Sequence, residues 1–479
     1  MEYCVEVDKN QMENDMHRSK RLKRHHNKPM PRQRSNKIKL SDLSEDVLGT
    51  ILSKLPTKEI VRTSVLSGKW KQIWTLCPKL RFDGGTVGCR DVIGTQDSTQ
   101  KFIDNVNAVI KQYNGKLVEE FEVKFEFDSK LAEHLYGWVS FALSSRAKTL
   151  ALDLLPDNFR FRPDRYRFPL ELCDGGSMSR LQQMQLSFVS LESLPQFSGF
   201  PNLKKLDLHV VRVTQIDLPN MLANCIGLEW LSIVRCHLDD ELKVVRPLPR
   251  LLYLHIAHCG LSKIEFSAMN LQTFVYSGRW VPIYLGHALE LKDASLHFLD
   301  KITLEDALVA LPNVLPKVRN LTLRSYMSLE RTPGLLGNYL KFSQLNYLQL
   351  GFFVNLEDQI NIRSLASFLS AAPFVEKLEM HFAVCAYSHC SEVIRRLPQC
   401  THNHLKNLNI TGFAGCTGQV EFLVHVVENA PNLEVLTIDR VDYFGVDKEY
   451  ERQTRFKALD IAKRHLHGRI PKNTKVQIT

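Results

Sequence analysis

Leucines recur along the middle of the chain at a fixed short spacing. Leu203, Leu206 and Leu208 are echoed by Leu228, Leu231 and Ile233, and again by Leu251, Leu254 and Ile256. Further copies begin at Leu181, Leu271, Val318, Leu345, Val375, Leu405 and Leu433. Neighbouring copies lie about 20 to 30 residues apart, and a gap at 277–317 is expected to hide a degenerate copy. Within each copy the last two apolar positions are two residues apart, which predicts a short strand with its leucines on one face. One such unit cannot bury its own apolar face, so the copies are expected to stack into a parallel sheet backed by helices or loops. The longer late repeats predict helices over 362–371 and 420–429. Two copies extend further, Ile233 to Cys236 and Leu238, Ile256 to Cys259 and Leu261, which makes both cysteines buried turn residues.

Upstream, at 38–82, the period changes to that of a helix. Ser44 is a good N-cap, with Glu45 and Asp46 behind it at the positive end of the helix dipole. Val47, Leu48, Ile51, Leu52 and Leu55 recur at one, three and four residues, and Pro56 ends that helix. A second helix would carry Ile60, Val61 and Val65, and a short third one Trp70, Ile73 and Trp74. Three short helices bury little surface of their own. Their apolar positions exceed what so small a core can hide, so one side is expected to be completed by a partner chain or by the following domain.

This segment resembles the F-box family in its plant form. The residues that carry the resemblance are Leu40-Ser-Asp-Leu43, Leu55-Pro56-Thr57-Lys58-Glu59, the run Arg62 to Ser67, and Trp70 with Trp74. Ser44 stands where the family usually has proline, and Gly68 where it usually has a basic residue. The resemblance implies docking on a Skp-type adaptor, and through it a cullin, by Leu40, Leu43, Val47, Leu48, Ile51, Leu52, Leu55, Pro56, Ile60, Val61, Val65, Leu66 and Trp70. The repeats match the leucine-rich-repeat pattern, and the segment from 397 to 439 resembles the FBD module that follows such repeats in plant F-box proteins. His404-Leu405-Lys406, Gly412-Phe413, Gly415, Glu428-Asn429-Ala430 and Leu433-Glu434 carry that likeness. The expected architecture is therefore α/β: a three-helix F-box at 38–82, a linker and the start of a solenoid at 83–144, leucine-rich repeats at 145–395, and an FBD-like module at 396–479. The segment from 397 to 439 reads as two more strand units with an intervening helix that close the solenoid.

Composition narrows the function. No apolar run approaches the ~20 residues that span a bilayer, and the opening MEYCVEVDKNQMEND lacks the pattern of a secretory signal. Eleven cysteines scattered singly suggest reduced thiols and a nuclear or cytoplasmic setting. His381, Cys385, His389, Cys390, Cys400, His402 and His404 gather Cys and His, yet no C-x-x-C pair is present, and neither metal nor cofactor is expected. The commonest nucleotide-binding and hydrolase motifs are missing, so no catalytic residue is assigned. The joint resemblance implies a non-enzymatic subunit of a cullin-based ubiquitin ligase that holds an unknown target protein. The alternative is a repeat scaffold that recruits no ligase.

Strand alternation places Lys205, Trp230 and Tyr253 side by side away from the core, with Asp207, Ser232 and His255 in the next column. An outward Trp beside an outward Tyr is a typical hot spot, so these six residues are the candidate target site. The formal charge of +10 is concentrated in residues 18–39, where ten Lys and Arg occur without an acid; residues 1–37 are expected to form a solvated, disordered tail. Lys20, Arg21, Lys23 and Arg24 suit nuclear import; no aromatic residues interleave the charges, which argues against a nucleic-acid arm. Changing these four to alanine is expected to move a fluorescent fusion out of the nucleus, whereas an unchanged distribution would make the tail either redundant for import or only solubilising.

Overall fold

The computed structural model describes residues 43–55, 57–63, 77–84, 96–114, 117–173, 180–192, 197, 199–286, 288–328, 341–354, 365–384, 394–397, 399–440 and 451–479. The basic tail lies outside them. Within the described residues the chain builds one parallel sheet of fifteen strands. In order across the sheet these are β1 (Lys79–Asp83), β2 (Glu120–Lys124), β3 (Thr149–Asp153), β5 (Gln183–Ser187), β7 (Lys205–His209), β9 (Trp230–Val234), β11 (Tyr253–Ala257) and β13 (Thr273–Gly278). They continue as β15 (Asp293–Thr303), β16 (Asn320–Ser328), β17 (Tyr347–Val354), β18 (Lys377–Val384), β19 (Asn407–Thr411), β20 (Val435–Ile438) and β21 (Lys475–Ile478). Every L-x-x-L-x-L copy read from the pattern is one of these strands, and β15 fills the interval where the pattern lapses.

The register is regular from strand to strand apart from a shift in β15 between Phe298 and Lys301. Leu206, Leu231 and Leu254 are mutual neighbours in one inward column, and Leu208, Ile233 and Ile256 in the other; all six are completely buried. Burying such a side chain contributes about 1.5 to 3 kcal/mol, which the conformational entropy of ordering each repeat largely offsets. The turn cysteines fit their expected role. Cys236 donates to the Leu208 and Val234 carbonyls, and Cys259 to those of Ile233 and Ala257, so each thiol ties a turn to the strand before it.

The far side of the core is covered by short strands in some repeats and by helices in others. Tyr253, Thr273 and Asp293 stand at twenty-residue intervals in the register, which leaves room only for short extended segments. Here the short strands β12 (Lys263–Phe266) and β14 (Ile283–Tyr284) join β10 (Glu241–Val244) in a three-stranded sheet, and in the longer repeats before them β4 (Tyr166–Arg167), β6 (Val189–Leu191) and β8 (Arg212–Val213) form another. Tyr347 and Lys377 are thirty residues apart, and the repeat between them accommodates the helix Leu365–Ala371. The helices are α1 (Glu45–Leu52), α2 (Thr57–Arg62), α3 (Gln96–Gln112), α4 (Leu131–Ser144), α5 (Asp217–Leu222), α6 (Leu304–Val314), α7 (Leu365–Ala371), α8 (Thr417–Asn429) and α9 (Glu451–Leu466).

Both ends differ from the sequence expectation. The interval 83–144 supplies β2, α3 and α4, and the sheet already begins at Lys79, inside the segment that resembles an F-box. At the other end the segment 397–439 supplies the two strands and intervening helix expected of it, β19, α8 and β20, and beyond it Lys475–Ile478 adds a further strand that pairs with β20. Gly412 makes the turn after β19 possible. Its φ of 67° is left-handed, and a Cβ there would collide with the Phe382 carbonyl. The Gln419 side chain braces that turn by accepting from the Ala414 and Gly415 amides and donating to the Gly412 carbonyl.

Behind this turn two imidazoles face each other, with His402 Nε2 3.4 Å from His425 Nε2, both buried. Burial and the neighbouring His425 push His402 down to about 4, and burial lowers His425 as well. The unfolded chain therefore takes up protons below about pH 6.5 that the folded chain refuses. Stability is expected to fall as pH drops from about 6.5 toward 4, by about 3 kcal/mol from His402. Urea titrations across that range, with His402→Phe as a control that flattens the slope, measure it.

Candidate functional site

Two surfaces expose side chains that the core would be expected to claim. The first is α1, which follows Ser44 directly. Leu48 and Leu52 are turned inward and buried, as is Ile60 on α2. Val47, Ile51 and Leu55 are 46%, 40% and 39% exposed and follow one another at four-residue steps, so they form an apolar stripe on the solvent side. Leu48, Leu52 and Ile60, three of the candidate adaptor residues, are therefore buried within this chain, and the exposed part of that set on α1 and the turn after it is the stripe of Val47, Ile51 and Leu55. Leu43 is half-buried, and Val61 falls within α2. Leu40, Pro56, Val65, Leu66 and Trp70 lie outside the described residues, as do Lys20, Arg21, Lys23 and Arg24. Helix α2 packs against β1, so this helical module is seated directly on the first strand of the sheet.

The second surface is the open face of the sheet at β7, β9 and β11. Register pairs Lys205 with Trp230 and Trp230 with Tyr253. The Trp230 and Tyr253 rings stack with centroids 5.2 Å apart and planes within 3°. The Lys205 ammonium sits 4.3 Å from the Trp230 centroid, a cation–π contact. In the next column Asp207, Ser232 and His255 are aligned, with Ser232 Oγ 3.4 Å from His255 Nδ1. Ser232 is a correction: it is buried under its neighbours, so it positions His255 instead of reaching a partner. Burial lowers the His255 pKa against the opposing pull of Asp207, which keeps that imidazole neutral near pH 7.

A second polar cluster on the same face went unread in the sequence. Tyr347 donates to Glu379 at 2.9 Å, and Lys377 pairs with Glu379 at 2.7 Å while lying 5.0 Å from the Tyr347 centroid. Gln349 and Thr411 each approach the buried His381 at 2.8 Å. The signal was available, because Tyr347 and Lys377 fill the same outward column as Trp230. These groups satisfy one another, whereas the Trp230–Tyr253 pair is joined only by ring contacts. Among the described residues no three His, Cys, Asp or Glu side chains converge as metal ligands, and no helix is long and apolar enough to cross a membrane.

A repeat sheet with a helical module on its first strand defines a class, the leucine-rich-repeat proteins with an appended F-box. Residues 109–478 match the family described as At1g61320/AtMIF1, LRR domain, and residues 40–82 match the F-box domain. The chain belongs to the plant F-box/leucine-rich-repeat family. Similar proteins from Arabidopsis thaliana include F-box/FBD/LRR-repeat protein At3g52680, 28% identical over 60% of this chain and 61% of the relative. F-box/FBD/LRR-repeat protein At3g14710 is 27% identical over 82% of this chain and 86% of its own. At4g26340, of the same description, is 24% identical over 82% and 90%. The chain thus covers less than two thirds of the first of these relatives and most of the other two.

The two sides of α1 are expected to separate by mutation. Leu52→Ala should cost about 2 to 5 kcal/mol of stability, and Ile51→Ala no more than about 0.5. Paired urea melts decide it, and equal losses would place Ile51 in the core.

Proposed function

We propose that this chain is the target-receiving subunit of a cullin-based ubiquitin ligase. The apolar stripe of α1 docks a Skp-type adaptor, and the open face around Trp230 and Tyr253 holds a target protein. The observation that carries this reading is the presence of two outward-facing surfaces on one fold, the stripe Val47, Ile51 and Leu55 and the stacked Trp230–Tyr253 pair, with α2 packed on β1 between them in the chain. The chain itself makes and breaks no bonds. It holds target lysines near the ubiquitin-charged enzyme, and proximity of this kind requires rigid placement of the two surfaces. The basic cluster Lys20, Arg21, Lys23 and Arg24 fits work in the nucleus.

One experiment with two arms tests this. Val47→Asp with Ile51→Asp is expected to abolish co-purification of the adaptor and cullin while the protein stays folded. Undiminished co-purification by the folded variant would remove the ligase and leave a scaffold. In the other arm, Trp230→Ala with Tyr253→Ala is expected to weaken capture of targets, trapped by cross-linking under proteasome inhibition, by more than ~2 kcal/mol without loss of adaptor. Unchanged capture would move recognition elsewhere on the repeats.

A further inference from the structure

The loop that leaves β3 reads FRFRPDRYR, four arginines interleaved with aromatic residues. A single 3-10 turn, Phe159–Phe161, turns Phe161 out to 87% exposure, the largest of any bulky apolar side chain among the described residues. Phe159 instead serves as a floor. The guanidinium carbons of Arg160 and Arg235 lie 5.9 and 5.8 Å from its ring centroid. Arg235 occupies the left-handed turn after β9, the position that Phe188 and Val210 hold after β5 and β7. Arg165 lies 5.1 Å from the Phe188 centroid and donates through Nε to the Val210 carbonyl at 3.3 Å. Burial and then the neighbouring Arg212 charge lower the pKa of Arg165.

Arg162 and Arg167 are paired with Asp164 and Glu192. Arg160, Arg165, Arg212 and Arg235 have no ion-pair partner among the described residues. Arg160 and Arg235 share the Phe159 ring, and Arg165 lies within reach of the Arg212 charge, so the rim holds two pairs of like charges whose repulsion an anion would relieve. The rim they form adjoins β7 and β9, whose other ends carry Lys205 and Trp230.

We infer that this rim docks an acidic stretch of polypeptide, its carboxylates meeting Arg160, Arg165, Arg212 and Arg235 and an apolar side chain resting on Phe161. The inference rests on the reading that the open face holds a protein target. A peptide suits the rim better than a nucleic acid does. Asp157 and Asp164 are exposed among the arginines, and they would repel a continuous phosphate backbone while leaving room for discrete carboxylates. Planar guanidinium groups also match carboxylates in paired hydrogen bonds.

The test is fluorescence anisotropy on the purified full chain with its co-expressed adaptor. The probes are a short labelled peptide of alternating Asp and Glu around one Leu, its counterpart with Asn and Gln in place of the acids, and a single-stranded oligonucleotide. The acidic peptide is expected to bind at least about tenfold more tightly than the amide peptide, and to weaken as salt rises. Arg160→Glu and Phe161→Ser should each weaken it several-fold; both side chains are exposed, so the fold is retained. Equal binding of the acidic and amide peptides, or wild-type affinity in Arg160→Glu, overturns the inference while the Trp230 and Tyr253 test of target capture stands on its own. Tighter binding of the oligonucleotide than of the acidic peptide also overturns it.

Discussion

Everything in this molecule depends on one constraint: no repeat can bury its own leucines, so each must keep register with its neighbours. A strand has a side-chain period of two, and a slip of one residue would turn every inward leucine to solvent. Uniform parallel pairing from β1 to β21 is the consequence. The outward residues are then aligned without any selection of their own. Lys205, Trp230 and Tyr253 meet because Leu206, Leu231 and Leu254 must. Residues far apart in the chain thus become a surface at no further conformational cost, and its chemistry can vary while the core stays constant.

The same constraint explains the ends. A parallel sheet with a bare edge presents unpaired amides and carbonyls, and here the β1 end carries the packed helix α2. The helical module is too small to hold itself together, so Leu48, Leu52 and Ile60 are completely or almost completely buried and Val47, Ile51 and Leu55 are left over. Seating the module on the sheet fixes its geometry relative to the repeats, which a flexible joint would not do.

How much was legible in the sequence follows from the same physics. Most strands with leucine at both inward positions announced themselves. Those missed depart from the full spacing: Ala147 stands at the first position before Leu150 and Leu152 of β3, Phe121 and Val123 fill the column in β2, and in β21 Val476 is exposed. In α1 the period revealed a helix but could not say which apolar residues face out, since Ile51 and Leu52 differ by one step of about 100° around the axis. The basic rim was invisible because Arg160 and Arg235 are separated in the chain and meet only over Phe159. The Trp230–Tyr253 pair was legible because strand geometry alone sets it, whereas the burial of Ser232 depends on what stands next to it.

The two polar clusters of the open face show how the same scaffold separates support from recognition. Both set a lysine over an aromatic ring in the same outward column. Around Tyr347 the hydroxyl, the Glu379 carboxylate, Gln349, His381 and Thr411 close a network in which donors find acceptors. A partner would have to break those bonds to use them, and removing one side of such a bond leaves a buried group unsatisfied. Around Trp230 the contacts are ring on ring and cation on ring, and they survive when another surface covers them. Desolvating that patch therefore gains apolar burial without breaking side-chain hydrogen bonds within the chain. The arginines at the far end of β7 and β9 add charge beside it, so that one strip offers an apolar platform at one rim and cations at the other.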